Sequence, residues 1–141
     1  MSLLKKIKDK KVNFEFNKEY LKVLTSKIIN NDALFINNSF KEIHPADAAD
    51  IIEHLSEENR EKLIKLNNFQ IDPQVFIELN ESVQSEIIKY LSSDAIVSIL
   101  KNLESDDAIK ILENVDEKNK NIILSSLPPK DRFVLLESLS Y

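Results

Sequence analysis

"DAADIIEHLSEENREKLIKL" (residues 47–66) and "DAIKILENVDEKNKNIILSS" (residues 107–126) stand sixty residues apart and coincide at six of twenty positions. The coincident residues are Asp, Ala, Ile, Glu, Glu and Asn, and most of the remaining positions keep their polarity. Each copy reads as a short helix that begins near Asp-Ala, a tight cap, and a second short helix with apolar residues at helical spacing. Partial copies lie between them. "LNESVQSEIIKYL" (79–91) repeats the cap and closing apolar pair of "LSEENREKLIKLN" (55–67), and "SSDAIVSILKNL" (92–103) repeats the Asp-Ala-x-x-x-Ile/Leu pattern. Helices this short cannot bury an apolar face alone, and stacked neighbours can. The expectation is an all-α chain of about ten short helices wound into a superhelix.

The ends of these helices are written in capping chemistry. Pro45 suits the first turn of a helix, where its missing N–H costs nothing, and Pro128 and Pro129 open the last helix in the same way. Ser56, Asn80, Asp116 and Ser92 or Ser93 are candidate N-caps, and Glu57, Glu81 and Glu117 follow in first turns, where the helix dipole favours carboxylates. Upstream, Tyr20, Leu21, Leu24, Ile28 and Ile29 form one apolar stripe, and a further segment runs from about Asp32 to Ile43.

Composition narrows the chemistry. The 141 residues contain no Gly, four Pro and no Cys. Tight hairpins, phosphate-cradling loops and dinucleotide folds all draw on glycine, so its absence argues against all three. Disulfides, thiolate zinc sites and a cysteine nucleophile are excluded outright. Residues 1–43 hold nine Lys against five Asp/Glu, a balance of +4, whereas residues 44–141 hold ten Lys/Arg against nineteen Asp/Glu, a balance of −9. An acidic body disfavours nucleic acid, whose phosphates need clustered cations. The exception is the cluster Lys5, Lys6, Lys8, Lys10 and Lys11, which reads as a solvated, frayed terminus or as a contact for anionic lipid headgroups. The organisation expected is a basic segment 1–17 followed by one helical domain, 18–141. No apolar run approaches the ~20 residues that cross a bilayer, and no signal peptide is visible, so the chain is expected on the cytoplasmic side, with no span of its own.

The two histidines, His44 and His54, have no cysteine or spaced serine beside them to form a triad. Asp47 with Asp50, or Asp50 with His54, can share a helix face by spacing, as acidic helices commonly arrange. His44, placed before a proline, reads as a structural residue at a helix entrance. Asp47, Asp94 and Asp107 recur at helix starts, where a carboxylate is favoured by roughly 0.3–1 kcal/mol, and Ala48, Ala95 and Ala108 beside them are small enough for close packing. Metal motifs with fixed spacing are absent. What remains is the acidic opening "LESDDAIKILE", with Glu104, Asp106 and Asp107, a set that can hold Mg²⁺ weakly through one or two carboxylates and several waters.

Four pieces in order, the opening His44-Pro45-Ala46-Asp47, the opening Asp106-Asp107-Ala108, the step Leu127-Pro128-Pro129 and the closing Leu139-Ser140-Tyr141, resemble the cytoplasmic N-terminal domain of MgtE magnesium transporters over roughly residues 20–141. The resemblance implies a right-handed all-α superhelix that precedes a pair of CBS domains and a membrane pore. It implies a Mg²⁺ sensor without enzymatic activity. Ions held between its acidic surface and the CBS domains keep the cytoplasmic part compact and the pore closed. It implies a homodimer of the full-length protein, made largely through parts outside this chain. The chain is accordingly read as part of a longer transporter. Asp106 matches an acidic sensor position of the family. One turn on, where relatives can carry a second acid, this sequence has Lys110, and an Asp106–Lys110 pair would partly neutralise the site. Gln74 stands where relatives can carry another acid. Asp107 and Glu104 are the substitutes. Two rival readings are a stand-alone interaction module, similar to the helical repeats of flagellar motor switch proteins, and a helical hydrolase, which two histidines scarcely supply.

Overall fold

The computed structural model describes residues 14–66 and 69–139. The lysine cluster 5–11 lies outside them. Ten α-helices follow one another: α1 (Phe14–Ile29), α2 (Ala33–Glu42), α3 (Pro45–His54), α4 (Glu57–Lys65), α5 (Pro73–Glu78), α6 (Glu81–Ile88), α7 (Ser93–Lys101), α8 (Ser105–Glu113), α9 (Glu117–Ser126) and α10 (Pro129–Leu139). No strand occurs among the described residues. Among the described residues the all-α expectation and the number of about ten helices hold.

From α3 onward the helix starts count in twelves, residues 45, 57, 81, 93, 105, 117 and 129, except for α5, which starts at 73. The sixty-residue self-match is five such steps. Within each step the residue before the N-cap is apolar and turned inward. Ile43, Leu55, Leu79, Val115 and Leu127 are all under 9% exposed. Leu91 and Leu103 are half-buried. Where the C-cap itself occupies this joint the backbone is extended, with φ/ψ of −93/139° at Ile43, −69/152° at Leu55, −70/148° at Leu79 and −79/152° at Leu127. An extended exit carries a side chain without strain, so these joints need no left-handed residue and no glycine. α7 and α8 end instead on Asn102 and Asn114, whose side-chain amides donate back to the carbonyls of Ser98 at 2.8 Å and Lys110 at 3.2 Å. Asn31 has a positive φ of 57°, in the tight link between α1 and α2, a conformation asparagine tolerates.

Side-chain caps start most helices. Ser56 Oγ accepts from the Asn59 N–H at 3.2 Å, Ser92 Oγ from Ala95 at 3.1 Å, and Asp116 Oδ1 from Asn119 at 2.8 Å. Of the two serines 92 and 93, the first is the cap. Asp32 and Asp72 cap α2 and α5 through the amides of Phe35 and Gln74. The side-chain amide of Asn80 donates to Glu53 Oε2 at 2.7 Å.

The chain divides into two units, Met1–Asn80 and Glu81–Tyr141. In the first, α1 packs on α2, α3 and α4, and α3 packs on α5. Tyr20, Leu24 and Ile28 of the expected stripe are fully buried, but Ile29 is 56% exposed because the helix ends there and its side chain points outward. In the second, α7 packs on α9 and α8 on α10. Packing between alternate helices is thus prominent, a refinement of the expected stacking of consecutive pairs.

Two polar devices hold the first unit. Arg60, one turn into α4, donates through Nη1 to the carbonyls of Ile52 at 3.3 Å, Glu53 at 3.2 Å and Leu55 at 3.0 Å, closing the end of α3. Those carbonyls are orphaned by the end of the helix, and a cation there also suits the dipole. The spacing recurs at Arg132, five residues after Leu127, whose carbonyl accepts from Arg132 Nη2 at 3.2 Å. Substitution R60M should cost about 1.5–3 kcal/mol, the range for hydrogen bonds to a charged group. The measurement is the urea midpoint, and no shift would show that water satisfies these carbonyls equally well.

The second device is a hydroxyl relay inside the core. The Tyr20 hydroxyl donates to Ser39 Oγ at 2.7 Å, and Ser39 Oγ donates to the Ile36 carbonyl at 3.1 Å. Burial pushes the Tyr20 phenol from 10.0 up to about 12, against a smaller opposing effect of the Ser39 hydrogen bond. Above pH 10 the unfolded chain loses this proton while the folded chain keeps it, so stability falls with rising pH from about 10 until about 12. The loss approaches about 3 kcal/mol if both values apply. The slope of denaturation midpoint against pH in this window should shrink in Y20F, and an unchanged slope would assign it to other groups.

Candidate functional site

α8 carries the acidic opening. Glu104 is its N-cap residue, with extended φ/ψ of −69/156°, but its side chain makes no capping hydrogen bond. A glutamate is one methylene too long to fold back as aspartate and serine do at the neighbouring starts. Asp106 and Asp107 occupy the first turn. Glu104 and Asp106 are exposed and Asp107 is half-buried. The fold therefore brings all three predicted carboxylates to one helix start. Among the described residues, however, no three His, Cys, Asp or Glu side chains are grouped so that they could hold one metal ion.

Electrostatics divides here. The N-terminal end of the helix carries partial positive charge, which stabilises the carboxylates and opposes a cation beside them. Lys110 lies exposed in the last turn of the same helix, and Asp106 and Lys110 form no ion pair in this structure. The neutralising pair expected from their spacing is not made. A cleft of about 100 Å³ adjoins α8, lined by Ser105 and Ala108 of that helix and by Lys101, Lys130 and Asp131. The two lysines were not signalled by the repeat. Lys101 ends α7, just before α8 begins, and Lys130 comes near through the packing of α10 on α8. Gln74, on α5 of the first unit, is exposed, and its backbone N–H is taken by Asp72.

The donor set tests what ion can fit. One or two of these carboxylates suit only an ion that keeps most of its waters or draws ligands from another body, as Mg²⁺ does. They do not make a closed site on their own.

The remaining candidates have structural duties. His44 Nδ1 accepts the Ala46 N–H at 3.1 Å, so His44 is the N-cap of α3. His54 Nδ1 lies 2.7 Å from the Asp50 carbonyl and 3.6 Å from its carboxylate, within one helix turn. Asp47 and Asp107 both take the third position of their helices, and Ala48 and Ala108 behind them are 0% and 2% exposed. Asp94 stands at the second position of α7. That slip of one residue leaves Ala95 half-buried and gives the inward place to Ile96, at 4%. The third copy is thus equivalent in pattern but not in register.

The profile of the MgtE intracellular N domain matches residues 43–141, which begins at the first joint of the twelve-residue count. The chain belongs to the MgtE intracellular N-domain family. In a comparison of structures, the soluble part of a magnesium transporter superposes with a TM-score of 0.68 at 18% identity, over 89% of this chain and 50% of the other. The MgtE N domain described here therefore spans half of that chain, and the likeness at this identity is one of fold. A search of curated protein sequences gave no match. Among the described residues, no helix is long and apolar enough to cross a membrane.

If His44 serves the MgtE fold as a cap, H44A should lower stability by about 1 kcal/mol, as other cap removals do. Asparagine or serine in its place should restore most of the loss. A loss that neither replacement recovers would assign the imidazole some other duty.

Proposed function

We propose that this domain is the regulatory N domain of a magnesium transporter. In that reading it senses intracellular Mg²⁺ through the acidic start of α8 and acts on the pore through adjacent CBS domains. The observation that carries the reading is membership of the MgtE N-domain family across residues 43–141, together with Glu104, Asp106 and Asp107 at one exposed helix start. The superposition on the soluble part of a magnesium transporter supports it. Bound Mg²⁺ would supply charge neutralisation between two acidic surfaces. The chain's own part is to hold Asp106 and Asp107 on a rigid helix and to leave the Glu104 carboxylate unspent in capping. Facing a second acidic surface, these groups repel it unless a cation lies between, and the repulsion is what would separate the domains when Mg²⁺ falls. Lys110 and the lysines of the neighbouring cleft weaken the site, so the isolated domain holds the ion loosely and the CBS side contributes the remaining ligands. The working location is the cytoplasmic face of the membrane, in a full-length homodimer.

An amide chemical-shift titration with Mg²⁺ against Na⁺ at matched ionic strength tests the site. The expected result is Mg²⁺-specific shifts confined to residues 104–110. K110E should tighten the response about two- to threefold, the effect of reversing a charge several ångströms away in screened solvent. Equal, diffuse shifts with both salts, unchanged by K110E, would remove α8 as an ion site of this domain.

A further inference from the structure

We infer that the cleft in front of α5 is a binding site for a small zwitterion with an apolar side chain, of the class of free branched-chain amino acids. The count of twelve fails at α5, where residues 69–72 stay outside any helix and the helix waits until Pro73. All four of those residues line a cleft of about 90 Å³, together with parts of α2, α3 and α5 itself. Departures from a fold's own local rule gather where function, not packing, sets the sequence.

The cleft is apolar at its base and charged at its lip. Ile52, Ile71 and Val75 line it and are 0%, 8% and 4% exposed. Phe40 and Phe69, both half-buried, meet edge to face beside them with ring centroids 5.7 Å apart. An apolar cavity of about 150 Å³ accepts benzene, so this smaller, open cleft has room for roughly three or four carbons. Lys41 and Asp72 stand exposed at its edge. Asp72 Oδ1 accepts the Gln74 N–H at 2.8 Å, and among the described residues neither its Oδ2 nor the Lys41 ammonium has a partner. A ligand with a carboxylate for Lys41, an ammonium for Asp72 and a branched aliphatic chain for the base answers all three features at once. A hydrocarbon would leave both charges unanswered, and a simple anion would be repelled by Asp72. A few convergent polar groups around an apolar pocket are the ordinary make-up of a small-molecule site. A cleft this small and this open holds such a ligand weakly, at roughly 1 mM. The site does not depend on the transport reading.

A titration of the chain's methyl proton–carbon shifts with L-leucine, from roughly 0.1 to 30 mM so as to bracket that constant, is the test. Saturable shifts are expected at Ile52, Ile71 and Val75. K41M and D72N should each raise the dissociation constant about threefold or more, the scale of charge pairs open to solvent. Asparagine caps as well as aspartate, so D72N keeps the start of α5. N-acetyl-leucinamide carries the same side chain without either charge, and it should bind about tenfold more weakly, the product of the two losses. That comparison needs no variant and separates a free amino acid from a leucine within a peptide. Unchanged circular dichroism and unfolding midpoint verify that the variants fold. Shifts that grow linearly to the highest concentration, equal binding of N-acetyl-leucinamide, or a constant that neither variant moves each overturns the proposal.

Discussion

The fold depends on one repeated event: an apolar residue leaves a helix in extended conformation, turns into the core, and hands the next position to a helix cap. Burying a leucine or isoleucine at such a joint contributes about 1.5–3 kcal/mol. The extended exit fixes the direction in which the next helix departs. Because the joint is held by a buried side chain, not by a left-handed backbone, it needs a Cβ and has no use for glycine. The 141-residue chain, which has no glycine at all, can therefore make these joints without one. The arginine latch at Arg60 and the asparagine ends at 102 and 114 are secondary means of satisfying carbonyls that each short helix leaves open.

Much of this was written plainly in the sequence. Proline in first turns, serine and aspartate at caps, and the sixty-residue self-match located the helices after α1 within a residue or two, because caps and apolar periodicity are local signals; α1 starts at Phe14 and not near residue 18. What escaped was non-local or a matter of register. Ser39 is a polar residue on a helix with nothing in its neighbourhood to show that Tyr20, nineteen residues earlier, bonds to it in the core. Ala95 matched its counterparts in letters, yet sits one position earlier on its helix and faces partly outward. Ile29 fitted the apolar stripe but fell on the last residue of α1. The finer period of twelve was hidden because α5 begins at residue 73 and interrupts the count.

The acidic start of α8 shows why a site of this kind is hard to read from residues alone. Carboxylates are favoured at any helix N-terminus, so their presence at 106 and 107 has a sufficient structural cause. What distinguishes α8 is Glu104, which occupies a cap position without capping. Its neighbours 92 and 116 use shorter side chains that do. The helix end that stabilises these acids also repels a cation, and Lys101 and Lys130 line the adjoining cleft. In the proposed reading an ion site here would be shallow, and its strength would come from whatever faces it. Such a site would let its ion go when supply falls.

The count of twelve has a consequence for how such a chain can change length. A duplication or deletion of twelve codons leaves every later joint apolar and every later cap polar. Any other number disturbs the unit that receives it, where joint and cap no longer stand one helix apart, while every later leucine moves together with the cap that follows it. α5 shows the alternative route: it starts four residues late, at 73 in place of 69, runs for six residues, and still delivers Leu79 to its joint on time. Length variation confined to a single unit is harmless only when that unit's helix absorbs it. Domains of this design should therefore take up insertions and losses as whole units, or inside one unit whose helix absorbs them.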